Sequence, residues 1–287
     1  MHFFPFQAHV EARLAFATLH ANDNWYNKVD VDEKWYFAWK AGGKLKVPPN
    51  EEAPRKFLKS KRHVPKVMFL AATARPRAIL QYGTPGAPDF VPAQMFDGKI
   101  GIWRVSEPKI ALKRSIYHEK DDVYEKDVTL NGDRYAAMIV EKVMPAIRKK
   151  MPWLVHECRA GHFNSEIVIQ QDGATPHTGK GRPEVMTAAG RRHYPPIRIE
   201  TQPAQSPDCN INDLAFFSAH AAAFNKKQKF ASLGDMETLV SNVKETYTAF
   251  PYETLEWCWL MKSKVMGLIV EHGGKNDFKL PHYRDDE

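Results

Sequence analysis

Cysteine is scarce in this chain of 287 residues: Cys158, Cys209 and Cys258 stand far apart and form no CxxC pair. That spacing excludes a zinc framework and a disulfide scaffold, and it predicts reduced thiols in an intracellular setting. Long apolar runs are also missing. No stretch reaches the roughly 18 residues that crossing a bilayer requires, so a membrane partner is not expected. The start, MHFFPFQAHVEAR, lacks the basic region and the long apolar core of a secretory leader.

What is present is enough apolar material, 43%, for a large buried core, and a basic excess. Lys and Arg number 41 against 34 Asp and Glu, a net charge of +7, which favours a polyanionic partner. The basic residues cluster at Arg55 to Arg62, Arg148 to Lys150, Lys180 with Arg182, Arg191 with Arg192, and Lys226 to Lys229. Each cluster alone reads as a solvated face. Together they read as contacts to phosphate.

Periodicity predicts a helix over 8–20 and then a first strand, in which Val29-Asp30-Val31-Asp32 puts both valines on one face and both acids on the other. AGGKLKVPP suggests a turn and a hairpin partner, 48–65 a charged, Pro-rich loop, and VMFLAATA a central strand. From 76 to 131 the chain is rich in Pro and Gly, with one strand at 99–105, and is expected to be irregular. A helix over 133–151, a buried strand at 167–169, a helix at 183–192, a strand at 197–201 and helices at 211–226, 235–250 and 253–272 complete the order. This is the order of an RNase H-like α/β domain: a mixed five-stranded sheet with helices on both faces, an irregular insertion and C-terminal helices.

In that order the first strand, the fourth strand and a late helix meet at one end of the sheet, and they carry Asp32, Asp172 and Asp213. Three acids on rigid elements suit hard cations, which prefer carboxylate oxygen; two such ions about 3.5 to 4 Å apart serve phosphodiester hydrolysis. Convergence of the carboxylates within roughly 8 Å is expected. Each acid also has a plainer reading. Asp32 could be a strand-end acid bonded to backbone donors, and Asp172 a turn former before Gly173. Asp213, three residues after a potential N-cap at Asn210, could complete a capping arrangement. Asp30, on the face of Asp32, would raise its neighbour's pKa unless a cation or a basic side chain intervened, which favours a metal. His177 could orient a carboxylate, contact phosphate or be structural.

The words around these acids, DEKWYF at 32–37, IQQDGATPH at 169–177 and SPDCNINDLAFF at 206–217, together with KSKR…KVMFLAATARPR and FDGKIGIW, resemble the mariner-like DNA transposases of the group whose third acid is Asp. The spacings agree, with 40 residues between Asp172 and Asp213 and 139 between Asp32 and Asp172. The resemblance implies cut-and-paste transposition: hydrolytic nicking at transposon ends, then attack of the freed 3′-hydroxyl on target DNA. It implies Asp32, Asp172 and Asp213 as catalytic metal ligands for two Mg²⁺ or Mn²⁺ ions, double-stranded DNA as partner and the nucleus as location. A homodimer is compatible with it, and dimerisation is left open.

DNA contacts are expected from Lys59, Lys61, Arg62, Lys180 and Arg182, and supporting roles from His177, Asp30 and Asn210. The chain departs from the family's usual pattern at Gly173, Thr175 and Cys209, and Asp30 is unusual there. Transposases of this kind carry helix-turn-helix modules ahead of the catalytic domain, whereas about 30 residues precede Asp32 here. The expected organisation is therefore a linker remnant at 1–28, the catalytic domain at 29–272 and a tail at 273–287, with poor sequence-specific end binding. Two alternatives stay open: a degenerate or domesticated remnant that binds DNA without cleavage, and an RNase H-fold nuclease acting on RNA–DNA hybrid.

Overall fold

The alternation in KVDVDEKWYF shapes the centre of the molecule. In the computed structural model, which describes residues 5–38, 66–115, 119–161, 166–227 and 236–281, this segment is strand β1 (Lys28–Phe37). Val29 and Val31 enter one core cluster, while Asp30 and Asp32 face the opposite side. Strand β2 (Lys66–Ala74) lies antiparallel to it, with Val31 opposite Ala72. A short hairpin follows, β3 (Arg77–Ile79) with β4 (Gln94–Phe96), and then β5 (Lys99–Arg104), antiparallel to β2.

A second hairpin, β6 (Ser106–Ile110) with β7 (Val123–Asp127), stands apart from the main sheet. Both hairpins lie where the sequence predicts irregular chain with one strand. Their strands are short and largely exposed, and β6 holds Pro108, so they lack the alternation that marks a strand before its partner is known.

Helix α2 (Gly132–Met138) runs through a π-helical turn (Ile139–Val143) into α3 (Met144–Lys150). The widened turn lies just ahead of Pro145, whose ring cannot donate a hydrogen bond and would crowd the carbonyl of Glu141. Tyr135, Met138, Ile139, Val143, Met144 and Ile147 pack on the face of the sheet that carries Val29, Val31, Leu70 and Ala72. Asn131 caps this helix through its side chain. The short helix α4 (Leu154–Arg159) follows; at six residues it is too short to show helical periodicity in the sequence.

Strand β8 (Ile167–Gln171) runs parallel to β1, and β9 (Ile197–Thr201) parallel to β8, which gives the sheet order β5-β2-β1-β8-β9. Between them lie α5 (Thr175–Thr178) and α6 (Arg182–Gly190). A π-helical turn (Asn212–Phe216), α7 (Phe217–Lys227), α8 (Met236–Thr248) and α9 (Tyr252–Glu271) cover the other face. There Phe216, Tyr247, Leu255, Trp259 and Met266 form a second cluster, and Tyr36, Phe69, Phe224 and Val243 a third. The mixed five-stranded sheet with helices on both faces agrees with the predicted architecture. The predicted hairpin partner near 41–49 and the loop at 48–65 lie outside the described residues.

Helix α1 (Pro5–His20) and Trp25 belong to the same core: Phe16, Ala17 and Trp25 are buried with Trp259. Arg13 fastens α1 to the body through Asp208 at 2.6 and 2.8 Å and through the Gly274 carbonyl at 3.0 Å. Gly274 has a φ of +87°, and a Cβ there would meet the Val10 carbonyl oxygen at 2.1 Å, so only glycine closes α9 against α1. Both segments flanking 29–272 thus make contacts with it, through Phe16, Ala17 and Trp25 on one side and with α1 through Gly274 on the other. Cys158, Cys209 and Cys258 are buried and unpaired. Among the described residues no helix is long and apolar enough to cross a membrane.

Candidate active site

Parallel pairing places two of the acids. Asp30 is opposite Gln170 in the β1–β8 register, and Asp32 and Asp172 each lie two residues further on in the same direction. Asp32 is 7% exposed on the face covered by the helix start that carries Asp213. Its Oδ1 accepts the Glu33 backbone N–H at 2.7 Å. Burial, then the charges of Asp213 and Glu33, and also that of Asp172, push the Asp32 carboxyl up to about 9 against the one backbone bond that favours ionisation. The charges of Asp213 and Asp172 thus both bear on Asp32.

Asp213 sits at the start of the helical run. Asn210 is extended, and its Oδ1 accepts the Asn212 N–H at 2.9 Å, so it caps the helix as the sequence suggests. The reciprocal half of a capping box is absent: the Asn210 N–H goes to the Pro207 carbonyl rather than to Asp213. The Asp213 carboxylate is exposed and not used by the cap. Asn210 also donates to the Val31 carbonyl at 3.1 Å and Asn212 to the Asp30 carbonyl at 3.0 Å, which staples the helix start to β1.

Asp172 is anchored differently. Its Oδ1 accepts the Ala174 N–H at 2.9 Å, the expected turn bond before Gly173, and also a short contact from His177 Nδ1. The other ring nitrogen of His177 lies 3.1 Å from Glu33 Oε1, and Tyr135 stacks on the ring at 3.9 Å between centroids. Burial would lower the His177 pKa, but the bonds to Asp172 and Glu33 outweigh it and raise it to about 10. Asp172 is shifted the opposite way: burial raises its pKa, and the His177 and Ala174 bonds more than reverse that. His177 is thus an imidazolium clamp between two carboxylates. Glu33 and Tyr135 were not singled out from the sequence. DEKW shows a second acid beside Asp32, but nothing local says which face it meets.

Asp30 corrects one expectation. It is fully buried, and its Oδ2 accepts Lys262 Nζ at 2.7 Å and the Ile211 N–H at 2.8 Å. A lysine, not a metal, answers the charge of Asp30. Lys262 itself was missed, although its position had a signal: it continues the buried face Leu255, Cys258, Trp259, Val265, Met266 and Ile269 of α9, the one charge on that face.

Of the predicted DNA contacts, Lys59, Lys61 and Arg62 lie outside the described residues. Lys180 is exposed. Arg182 is committed to the Gly179 carbonyl at 2.7 Å and to Asp133 at 3.1 Å, and it lies over Gly132.

The donor chemistry fits a hard cation. Asp32, Asp172 and Asp213 offer only carboxylate oxygens, Asp32 is buried among acids, and Asp172 and Asp213 reach solvent. Among the described residues no three His, Cys, Asp or Glu side chains are already arranged as a metal cage.

Fold and site together define an RNase H-like α/β domain with acidic residues in the middle of the central strand β1, just past the end of β8 and at the start of the helical run that carries Asp213. The same fold is found in the solved catalytic domain of Mos1 mariner transposase, with a TM-score of 0.56 and 15% identity over 97% of this chain and 98% of that one. The Mos1 mariner paired-end complex with Mn gives 0.62 and 15% over 96% of this chain. The Mos1 transposase paired-end complex with the left transposon end gives 0.60 and 18%. This chain spans 65% and 64% of the transposase in those two complexes. At such identities the likeness is one of fold. Comparison of the sequence with known protein families and with curated proteins finds no match.

Proposed function

We propose that the chain is the catalytic domain of a mariner-like cut-and-paste DNA transposase, acting by metal-dependent phosphodiester hydrolysis and strand transfer. The observation that supports it most is that the charges of Asp213, at the helix start, and of Asp172, just past β8, both act on buried Asp32 of β1, in a fold shared with a transposase catalytic domain. Two Mg²⁺ or Mn²⁺ ions held by these acids would neutralise the scissile phosphate and activate the attacking oxygen. The Mos1 complex solved with Mn favours that choice of ion.

The residues of the chain divide the work. Asp213 presents a carboxylate that its own helix does not consume. Asp172 is aimed by His177 and Ala174 through Oδ1, which leaves Oδ2 for an ion. Asp32, whose carboxyl burial and neighbouring acids push up to about 9, would hold an ion as a carboxylate, so that binding a cation would release its proton. Double-stranded DNA is the proposed partner, supported by the net charge of +7 and by exposed Lys149, Lys180, Arg191, Arg192 and Lys226. A homodimer and a nuclear location belong to this reading. The catalytic span 29–272 belongs to this reading as well.

A second reading, a DNA-binding remnant without cleavage, is favoured by the prior engagement of Asp172 Oδ1. Nicking of supercoiled plasmid decides between them. Slow, weakly specific nicking with Mn²⁺ or Mg²⁺, stopped by EDTA and by Asp172→Asn, is the expected result, since a neutral amide cannot balance two cations. A wild-type chain that never nicks, or an Asp172→Asn variant that nicks equally well, would make the remnant the better account.

A further inference from the structure

One ammonium group ties together, directly or through Asp30, residues that stand just ahead of the three acids. Lys262 Nζ, fully buried, donates to Asp30 Oδ2 at 2.7 Å and to Gln170 Oε1 at 2.9 Å, and Asp30 Oδ2 also accepts the Ile211 N–H at 2.8 Å. Asp30, Gln170 and Ile211 stand two residues before Asp32, Asp172 and Asp213 respectively. We infer that Lys262 is a positioning residue of the active site, a hub that sets the mutual placement of the three metal-binding acids from two residues below each of them; this rests on the function proposed above.

The hub is closed on every side. The Trp25 and Trp259 rings lie 4.3 and 5.0 Å from Nζ, where a cation gains from their faces. Gln170 Nε2 donates onward to the Cys209 carbonyl at 2.7 Å, so the turn leading into the Asp213 helix is held from a second direction. Asn212 is tied to the Asp30 carbonyl and accepts from Thr73 of β2 at 2.9 Å. Asp32 and the Asp213 helix therefore share supports in β1, and Asp172 is linked to both through Gln170.

A purely structural role is a poor explanation for such a group. Burying an ion pair removes both charges from water, and an apolar pair of similar volume is often as stable or more so. Asp30 Oδ1 is even left buried without a partner, an arrangement that adds nothing to stability. What an apolar pair cannot do is direct three separate backbone segments to one point. Groups that orient metal ligands commonly change metal affinity or activity by 10 to 100-fold when removed.

The experiment separates placement from stability. Lys262→Met alone strands the Asp30 carboxylate and can fail to fold. The double variant Asp30→Leu with Lys262→Met removes both charges and leaves no buried ion. Thermal unfolding, Mn²⁺ binding followed by water-proton relaxation, and Mn²⁺-dependent nicking are measured on the wild-type chain and the double variant. The expected result is a double variant that unfolds at or above the wild-type temperature, yet needs about 10 to 100-fold more Mn²⁺ for half-saturation and nicks correspondingly slowly. A folded double variant with wild-type Mn²⁺ binding and nicking overturns the positioning role and leaves the proposed function intact. A wild-type chain that neither binds Mn²⁺ nor nicks overturns the function, and this role with it.

Discussion

Replacing His177 by Gln removes the charge from the clamp between Asp172 and Glu33 while nearly keeping its size. In the folded chain the imidazole pKa is raised from 6.5 to about 10. A group whose folded pKa is raised contributes stability that is fully present below its unfolded pKa and is lost as pH rises through the folded one. The contribution of His177 is therefore complete near pH 6 and fades between about pH 6.5 and 10. At 1.36 kcal/mol per pH unit that window corresponds to a ceiling of about 5 kcal/mol. The Asp172 side chain is 37% exposed, so solvent screens part of the attraction, and about 2 to 4 kcal/mol is the expected loss. Urea unfolding of both chains from pH 6 to 10.5 measures it. Asp32 titrates in both, so the difference between the curves isolates His177. A difference that stays flat with pH, or one below about 1 kcal/mol at pH 6, would refute the clamp.

Two further outcomes concern the surface and the turn. Asp208→Asn is expected to leave most nicking in place, because Asp208 touches none of the three acids, but to weaken the bidentate pair with Arg13 by about 1 to 3 kcal/mol, read as a lower urea midpoint. Loss of nicking without loss of stability would move Asp208 into the catalytic machinery. Duplexes carrying end repeats and scrambled duplexes are expected to bind alike, with affinity falling steeply as salt rises, because phosphate contacts release counterions. Tight binding to one sequence that ignores salt, in filter binding at two ionic strengths, would contradict that.

The sequence alone determined the elements whose pattern is local. Val29-Asp30-Val31-Asp32 alternates with period two, VMFLAATA is long and apolar enough to be central, and the spacing in α9 marks a buried stripe. Those patterns hold whatever the partner, which is why β1, β2, β8, β9 and the main helices fell close to their predicted positions; Asp172 and Asp213 do stand at element ends, whereas Asp32 lies in mid-strand because β1 continues to Phe37 against β2. The two hairpins between 77 and 127 were not legible, since short polar strands are defined by each other and not by their own periodicity.

Only the tertiary structure decided how the charges are answered. Asp30 suggested a metal while its neighbours along the chain were the sole witnesses; its partner is Lys262, 232 residues away. His177 had several readings until Glu33, 144 residues earlier, was brought to its free nitrogen. The capping reading of Asp213 lapsed only when the Asn210 N–H was found on Pro207. Local periodicity comes from backbone geometry and is written in adjacent residues. The state of a buried carboxylate depends on whichever group the packed core brings within hydrogen-bonding distance, and the distance along the chain between the two carries no information about that meeting.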